Sequence, residues 1–233
     1  MHILVKKLWW SDVGLSVLLA VIFLQVFVMY PLLHFGTGPI LIHVLFVLVL
    51  VSGVMAVIET PHLGRLVLVL AMLSLICRGV GFWRSGPTID ILETIFAIIF
   101  AAILMTIILI QVFRQGPVNA HRIAGSVAAY LLFGIVCGHA YMLVALQDPS
   151  ALSFSTIPIP TEFHKLQSKL FYFSFVTLTS IGYGDIMPVN PAAQTVAILE
   201  GLVGQLFPAI LLARLVSLEI EGRQSREREK SNE

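Results

Sequence analysis

Thr177-Leu178-Thr179-Ser180-Ile181-Gly182-Tyr183-Gly184-Asp185 overlaps the end of a stretch, residues 162–178, that carries Phe163, Leu166, Leu170, Phe171 and Phe173. The spacing of those side chains predicts a helix, yet the stretch is too short and too polar to cross about 30 Å of hydrocarbon. Gly182 and Gly184 bracket a single aromatic residue, and glycine reaches backbone angles closed to other residues. A short helix that enters a membrane partway and returns as irregular backbone is tolerated only where protein or a water-filled cavity surrounds it. The segment therefore predicts a polar structure built at membrane depth.

The rest of the chain supplies the membrane protein that such a structure needs. Of 233 residues, 58% are hydrophobic and 12% charged, and the mean hydropathy is +0.96. Soluble chains are about half apolar and a quarter charged, so a water-soluble enzyme is excluded. A formal net charge of +1 gives no reason to expect nucleic acid. Apolar runs that read as spanning helices cover residues 13–33, 40–58, 63–82, 91–113, 123–146 and 192–218. The third is the weakest, because Arg78 interrupts it. Cys77 and Cys137 lie inside apolar runs and read as buried thiols. His43 and His139 read as satisfied interior histidines, with no second metal ligand at helical spacing. Lys6 and Lys7 precede the first run without a small-residue cleavage pattern, which reads as an uncleaved signal anchor.

Six spans put both ends on one side. With that side cytoplasmic, the inner segments hold Lys6, Lys7, Arg65, Arg114, Arg122, Arg214, Arg223, Arg226, Arg228 and Lys230 of the 14 Lys and Arg residues. The outer segments hold Arg78, Arg84, Lys165 and Lys169. The bias predicts a multi-pass protein of the cell membrane with cytoplasmic termini.

Residues 177–185 resemble the selectivity filter of potassium channels, usually Thr-Val-Gly-Tyr-Gly, in which rings of backbone carbonyls replace the hydration shell of the ion. The upstream threonines, the following Asp185 and Pro188, the short helix and the flanking spans strengthen the likeness. More narrowly, the chain resembles small prokaryotic six-span potassium channels. The resemblance implies an all-α membrane fold, with six transmembrane helices and a re-entrant pore helix and filter between helices 5 and 6. It places a four-helix membrane domain in residues 1–113, similar to a voltage-sensor domain without its arginines. A linker (114–122), a pore domain (123–218) and a charged tail (219–233) follow.

The same resemblance implies a homotetramer that conducts K+ passively, with membrane lipid as its surroundings, no cofactor and no enzymatic activity. The ion-binding residues would be Thr179, Ser180, Ile181, Gly182, Tyr183, Gly184 and Asp185, with K+ held by the carbonyls of Ser180, Ile181, Gly182 and Tyr183. The Ser180 hydroxyl would be the innermost ligand. Most relatives carry Thr there; Ser keeps the oxygen but drops the methyl that restricts its rotamer. A nonselective monovalent cation channel and a non-conducting sensor or subunit with a pore fold are the alternatives.

Supporting positions depart from the usual pattern. Tyr172 and Phe173 stand where relatives have two bracing tryptophans, and Val176 stands where some have a carboxylate, beside Thr177. Tyr172 can still donate a hydrogen bond, for instance to Asp185; Phe173 cannot. Gly204, nineteen residues after Asp185, and Pro208 occupy the place of a gating hinge; the competing reading is a close helix contact at Gly204 and a static kink at Pro208. Glu200, an acid within a span, is expected to bond the back of the pore helix through Ser174 or Thr177, or to titrate. Gln205 is expected to face the cavity. The fourth span has no arginine series, and Arg78 and Arg84, read as loop charges, make no voltage sensor.

Overall fold

The computed structural model describes residues 14–27, 38–57, 61–83, 86–113, 120–155, 160 and 162–231. Lys6, Lys7, Arg84 and most of the 114–122 linker lie outside these residues, as does the distal end of the first span. The elements are α1 (Gly14–Phe27), α2 (Gly38–Val57), α3 (Pro61–Trp83), α4 (Pro87–Phe113), α5 (Ala120–Gln147), β1 (Leu152–Phe154), α6 (Phe163–Leu178), β2 (Ile186–Pro188) and α7 (Pro191–Ser231).

Long apolar segments become helices because a helix satisfies its own backbone polar groups where no water can. Within the described residues, three helices are long and apolar enough to cross a membrane: Pro87–Phe113, His121–Gln147 and Pro191–Arg214. The chain is a predominantly helical membrane protein. α7 starts at Pro191, with the Asn190 side chain accepting a hydrogen bond from the Ala193 N–H at 2.8 Å. Asn before Pro is a strong start signal, because one caps a free donor and the other needs none. The helix then runs without a break past residue 218 to Ser231, so the charged tail continues α7.

Arg78 is not a loop charge. It lies inside α3, 3% exposed, and its guanidinium donates to Glu93 Oε1 of α4 at 3.0 Å. The same guanidinium sits 4.4 Å from the centre of the Phe46 ring on α2. Pairing removes the main objection to a charge within α3, since an intramembrane charge is tolerated when it meets its counterion. Reading α3 alone left Arg78 without that partner.

Two apolar cores divide the molecule. One joins α1 to α5 through residues such as Leu18, Ile22, Val67, Leu104, Ile108 and Leu132. The other gathers Tyr141 and Met142 of α5, Leu170 and Phe173 of α6, Leu152, Ile186 and Ala193. Association in lipid relies on close packing more than on water exclusion, so small residues mark the contacts. A Cβ at Gly134 would lie 2.8 Å from Phe175, and one at Gly138 would overlap the Phe171 ring. These two glycines let α6 lie flat against α5.

The loop after α5 holds a feature that its Pro, Ser and Asp content did not announce. β1 pairs antiparallel with β2, Phe154 opposite Ile186 and Leu152 opposite Pro188. The strand that leaves the Gly-Tyr-Gly segment is thereby tied to the strand that leaves α5. α7 is the least covered of the three long spans, with 11% of its apolar stretch buried against 56% for α5.

Candidate functional site

α6 ends at Leu178, and Thr179 closes its last turn with its N–H on Phe175 O at 3.1 Å. The helix has 16 residues, about 24 Å at 1.5 Å per residue, short of the hydrocarbon thickness. Its carboxyl end, which carries partial negative charge, therefore stops at the root of the Thr179 to Asp185 segment.

From Ser180 to Gly184 the sign of φ alternates, with +58° at Ser180, +59° at Gly182 and +76° at Gly184. Ser180 is the sole non-glycine residue with positive φ among the described residues. Alternation turns successive peptide planes so that N–H groups gather on one side and carbonyls on the other. The N–H side faces the helix: Ile181 and Gly182 donate to Val176 O at 3.0 and 3.4 Å, and Ser180 donates to Thr177 O at 2.9 Å. The carbonyls of Ser180, Ile181, Gly182 and Tyr183 accept no backbone hydrogen bond among the described residues. All four residues are exposed. At the outer end Asp185 O accepts from Ser155 N and Oγ at 2.9 and 3.1 Å, which joins the segment to the small sheet.

Behind the segment the expected aromatic brace takes another form. Val176 and Phe173 are buried. Phe173 packs edge to face on Tyr141 of α5, with ring centres 4.8 Å apart. Tyr141 donates its hydroxyl to Glu200 Oε2 at 2.7 Å, and Ser174 of α6 bonds Glu200 Oε1. Ser174 also lies 2.7 Å from Gly134 O. Glu200, wholly buried, is thus the knot that ties α7 to α5 and α6. The expected bond to Ser174 is present; Tyr141, 59 residues away in sequence, was not anticipated, and no local pattern around it could have signalled the contact.

α7 also meets the root of the segment. A Cβ on Gly204 would overlap the Leu178 carbonyl oxygen and lie 2.9 Å from its carbon. The same oxygen accepts the Tyr130 hydroxyl at 3.2 Å. Gly204 is therefore a close contact, whatever else it does. Pro208, one turn on, has no N–H to give to the Gly204 carbonyl, which loosens the helix there. The next residue, Gln205, donates from Nε2 to Ser180 Oγ at 2.7 Å. Thr179 turns its hydroxyl back to Phe175 O at 2.6 Å.

Outside the membrane spans, Asp148 sits after α5 and accepts from the Ser150 hydroxyl and N–H at 2.6 and 3.0 Å and from the Asn190 side chain at 3.0 Å. The Ser150 hydroxyl, the Asn190 amide and the Ser150 N–H hold its carboxyl below the usual range. His139 is buried and bonds Ile135 O at 2.9 Å. No group of three or more metal-ligating side chains occurs among the described residues.

Comparison with known proteins points to the same part of the chain. Residues 130–220 match the family model described as "Ion channel". The two pore potassium channel c of Oryza sativa subsp. japonica is 39% identical over 84 residues, 35% of this chain and 18% of that protein. Protein LctB of Bacillus caldotenax is 44% identical over 45 residues, 19% of this chain and 33% of its own. Protein LctB of Geobacillus stearothermophilus is 32% identical over 84 residues, 35% of this chain and 62% of its own. The chain thus spans less than two thirds of the length of each of these relatives. Residues 130–220, which hold α5 from Tyr130 on, α6, the alternating segment and the membrane span of α7, match an ion-channel domain, and the likeness to a two pore potassium channel supports membership of the potassium-channel superfamily.

Proposed function

We propose that this protein is a potassium-selective channel in which four copies surround one ion path. The observation that carries the reading is the row of carbonyls from Ser180 to Tyr183 that accept no backbone hydrogen bond among the described residues, turned to one face by the alternating φ while the N–H groups behind them bond Val176 O. Such a face is costly in hydrocarbon. It becomes useful around a dehydrated cation, whose lost water oxygens it replaces. The negative end of α6 adds a favourable field for a cation at the root of the segment.

One chain supplies one wall. Ser180, Tyr183 and Gln205 are exposed on the single chain, and polar groups at membrane depth need a water-filled cavity enclosed by protein. Three further copies about an axis would complete it, with the scantily covered α7 as the inner lining. In this arrangement α6 is re-entrant, the six helices α1 to α5 and α7 span the membrane, and the termini face the cytoplasm. α1 to α4 serve as a peripheral scaffold. Arg78 is locked to Glu93, so steep voltage dependence of the moving-arginine kind is not expected.

The experiment is reconstitution into vesicles and planar bilayers with potassium on one side and sodium on the other. The expected result is a potassium-selective conductance, abolished or made nonselective by Gly182→Asp and Tyr183→Ala. Equal sodium and potassium permeability would instead support the nonselective channel. Protein that stayed monomeric in lipid and left potassium leak at the level of empty vesicles would overturn the proposal.

A further inference from the structure

We infer that Gln205 is the positioning residue for the innermost ion ligand, fixing the rotamer of Ser180 that the missing threonine methyl leaves unfixed; the inference rests on the channel reading above. Serine has three staggered χ1 wells available, whereas the branched side chain of threonine is confined. At Ser180 the backbone is already set by φ of +58° and by its N–H bond to Thr177 O. The position of Oγ is then decided by χ1 alone. The Gln205 amide reaches that oxygen from α7 at 2.7 Å. A hydroxyl oxygen has two lone pairs; the amide N–H takes one, and the second stays free to face a cation.

The reach of Gln205 is itself set by its neighbour. Gly204 lies against the Leu178 carbonyl with no room for a side chain, and Tyr130, whose ring stacks on Phe207 at 5.6 Å, bonds the same carbonyl. α7 is thereby held at a fixed height against the filter root. A slide or bend of α7 in this region would pull the amide from Ser180 and release the ligand. The pore domain thus replaces a covalent restraint within one residue by a hydrogen bond from the lining helix, which makes inner-site affinity answer to the position of α7.

Barium has nearly the radius of potassium and twice the charge, so oxygens that bind potassium should hold it longer and let it block the path. Its block and the potassium to sodium permeability ratio are measured in planar bilayers for wild type, Gln205→Met, Ser180→Thr and the double variant. Methionine keeps the length of glutamine and removes the donor, at an exposed position that does not threaten folding. The expected result is a loss of barium affinity of about five-fold in Gln205→Met, the size of one ordinary hydrogen bond, with a lower permeability ratio. On the Ser180→Thr background the same substitution is expected to shift block by less than about two-fold, because the methyl now does the positioning.

Unchanged block in a conducting Gln205→Met channel overturns the inference and leaves the channel reading intact. An equal shift on both backgrounds also overturns it, since Gln205 would then act through the cavity and not through the hydroxyl. Wild-type protein that carries no potassium removes the channel reading and this inference together.

Discussion

Gly204→Ala tests how α7 meets the end of α6. In an open helix interior this substitution stabilises by about 1 kcal/mol, since alanine is the better helix former. At Gly204 the new methyl would overlap the Leu178 carbonyl oxygen and stand 2.9 Å and 3.3 Å from its carbon and Cα. These are backbone atoms at the end of α6, so no side chain can swing aside. Overpacking of this kind costs about 3 kcal/mol at the upper end of its usual range. The net expectation is a loss of about 2 kcal/mol, roughly a thirty-fold fall in the folded-to-unfolded ratio. Conduction should fall as well, because Leu178 lies two residues before Ser180. The assay is thermal inactivation of the detergent-solubilised protein alongside potassium flux in vesicles. Gly79→Ala, in α3 with nothing within 4 Å of its Cβ, is the control and should gain up to about 1 kcal/mol. A Gly204→Ala protein as stable as wild type with unaltered flux would refute the close contact. Because the substitution strikes the Leu178 backbone itself, it cannot isolate a hinge; Pro208→Ala, which restores the N–H toward the Gly204 carbonyl, does so through open probability at constant unitary conductance.

Other expectations follow from the buried polar groups. Glu200→Ala should cost about 2–3 kcal/mol by stranding the Tyr141 hydroxyl, Ser174 keeping Gly134 O as its acceptor, while Glu200→Gln, which keeps an acceptor for Tyr141, should cost about 1 kcal/mol, both read by thermal inactivation; equal losses would contradict the hydrogen-bonded knot. Glu93→Leu leaves Arg78 buried without its counterion and should cost about 3–5 kcal/mol, most of it recovered by adding Arg78→Met. If the double variant is no more stable than the single one, the ion pair is not the source of the loss. Asp148 has its folded-state pKa lowered by Ser150 and Asn190, so its tether is fully present above about pH 3.9, the unfolded value, and is lost as pH falls through the lower folded value. Amide exchange at Ser150 should quicken over that acid range in wild type and show no such step in Asp148→Asn.

The helix before the Gly-Tyr-Gly segment was legible to within a residue, 162–178 against Phe163–Leu178, because aromatic spacing and a polar start are local signals. Positive φ at Gly182 and Gly184 was equally legible, since glycine is the residue that accepts it without strain. Positive φ at Ser180 was not, because nothing in a serine announces it. The partners of Arg78 and Glu200 were hidden for a different reason: Glu93 is 15 residues from Arg78 and Tyr141 is 59 from Glu200. Each bond depends on how two helices are rotated and offset, and the periodicity of one helix carries no record of its neighbour's rotation. Pairing of Leu152–Phe154 with Ile186–Pro188 was missed similarly, three residues being too few for an alternating pattern to stand out.

Composition and order along the chain by themselves determined a helical membrane protein and the place of its Gly-Tyr-Gly turn after a short helix, because length, apolarity and glycine act on the residues that carry them. Tertiary structure alone decided that Arg78 is neutralised by Glu93, that Glu200 joins three helices and that Gln205 reaches the Ser180 hydroxyl. Those contacts are set by helix rotation and by a glycine small enough to admit a carbonyl, and both belong to pairs of elements brought together in space.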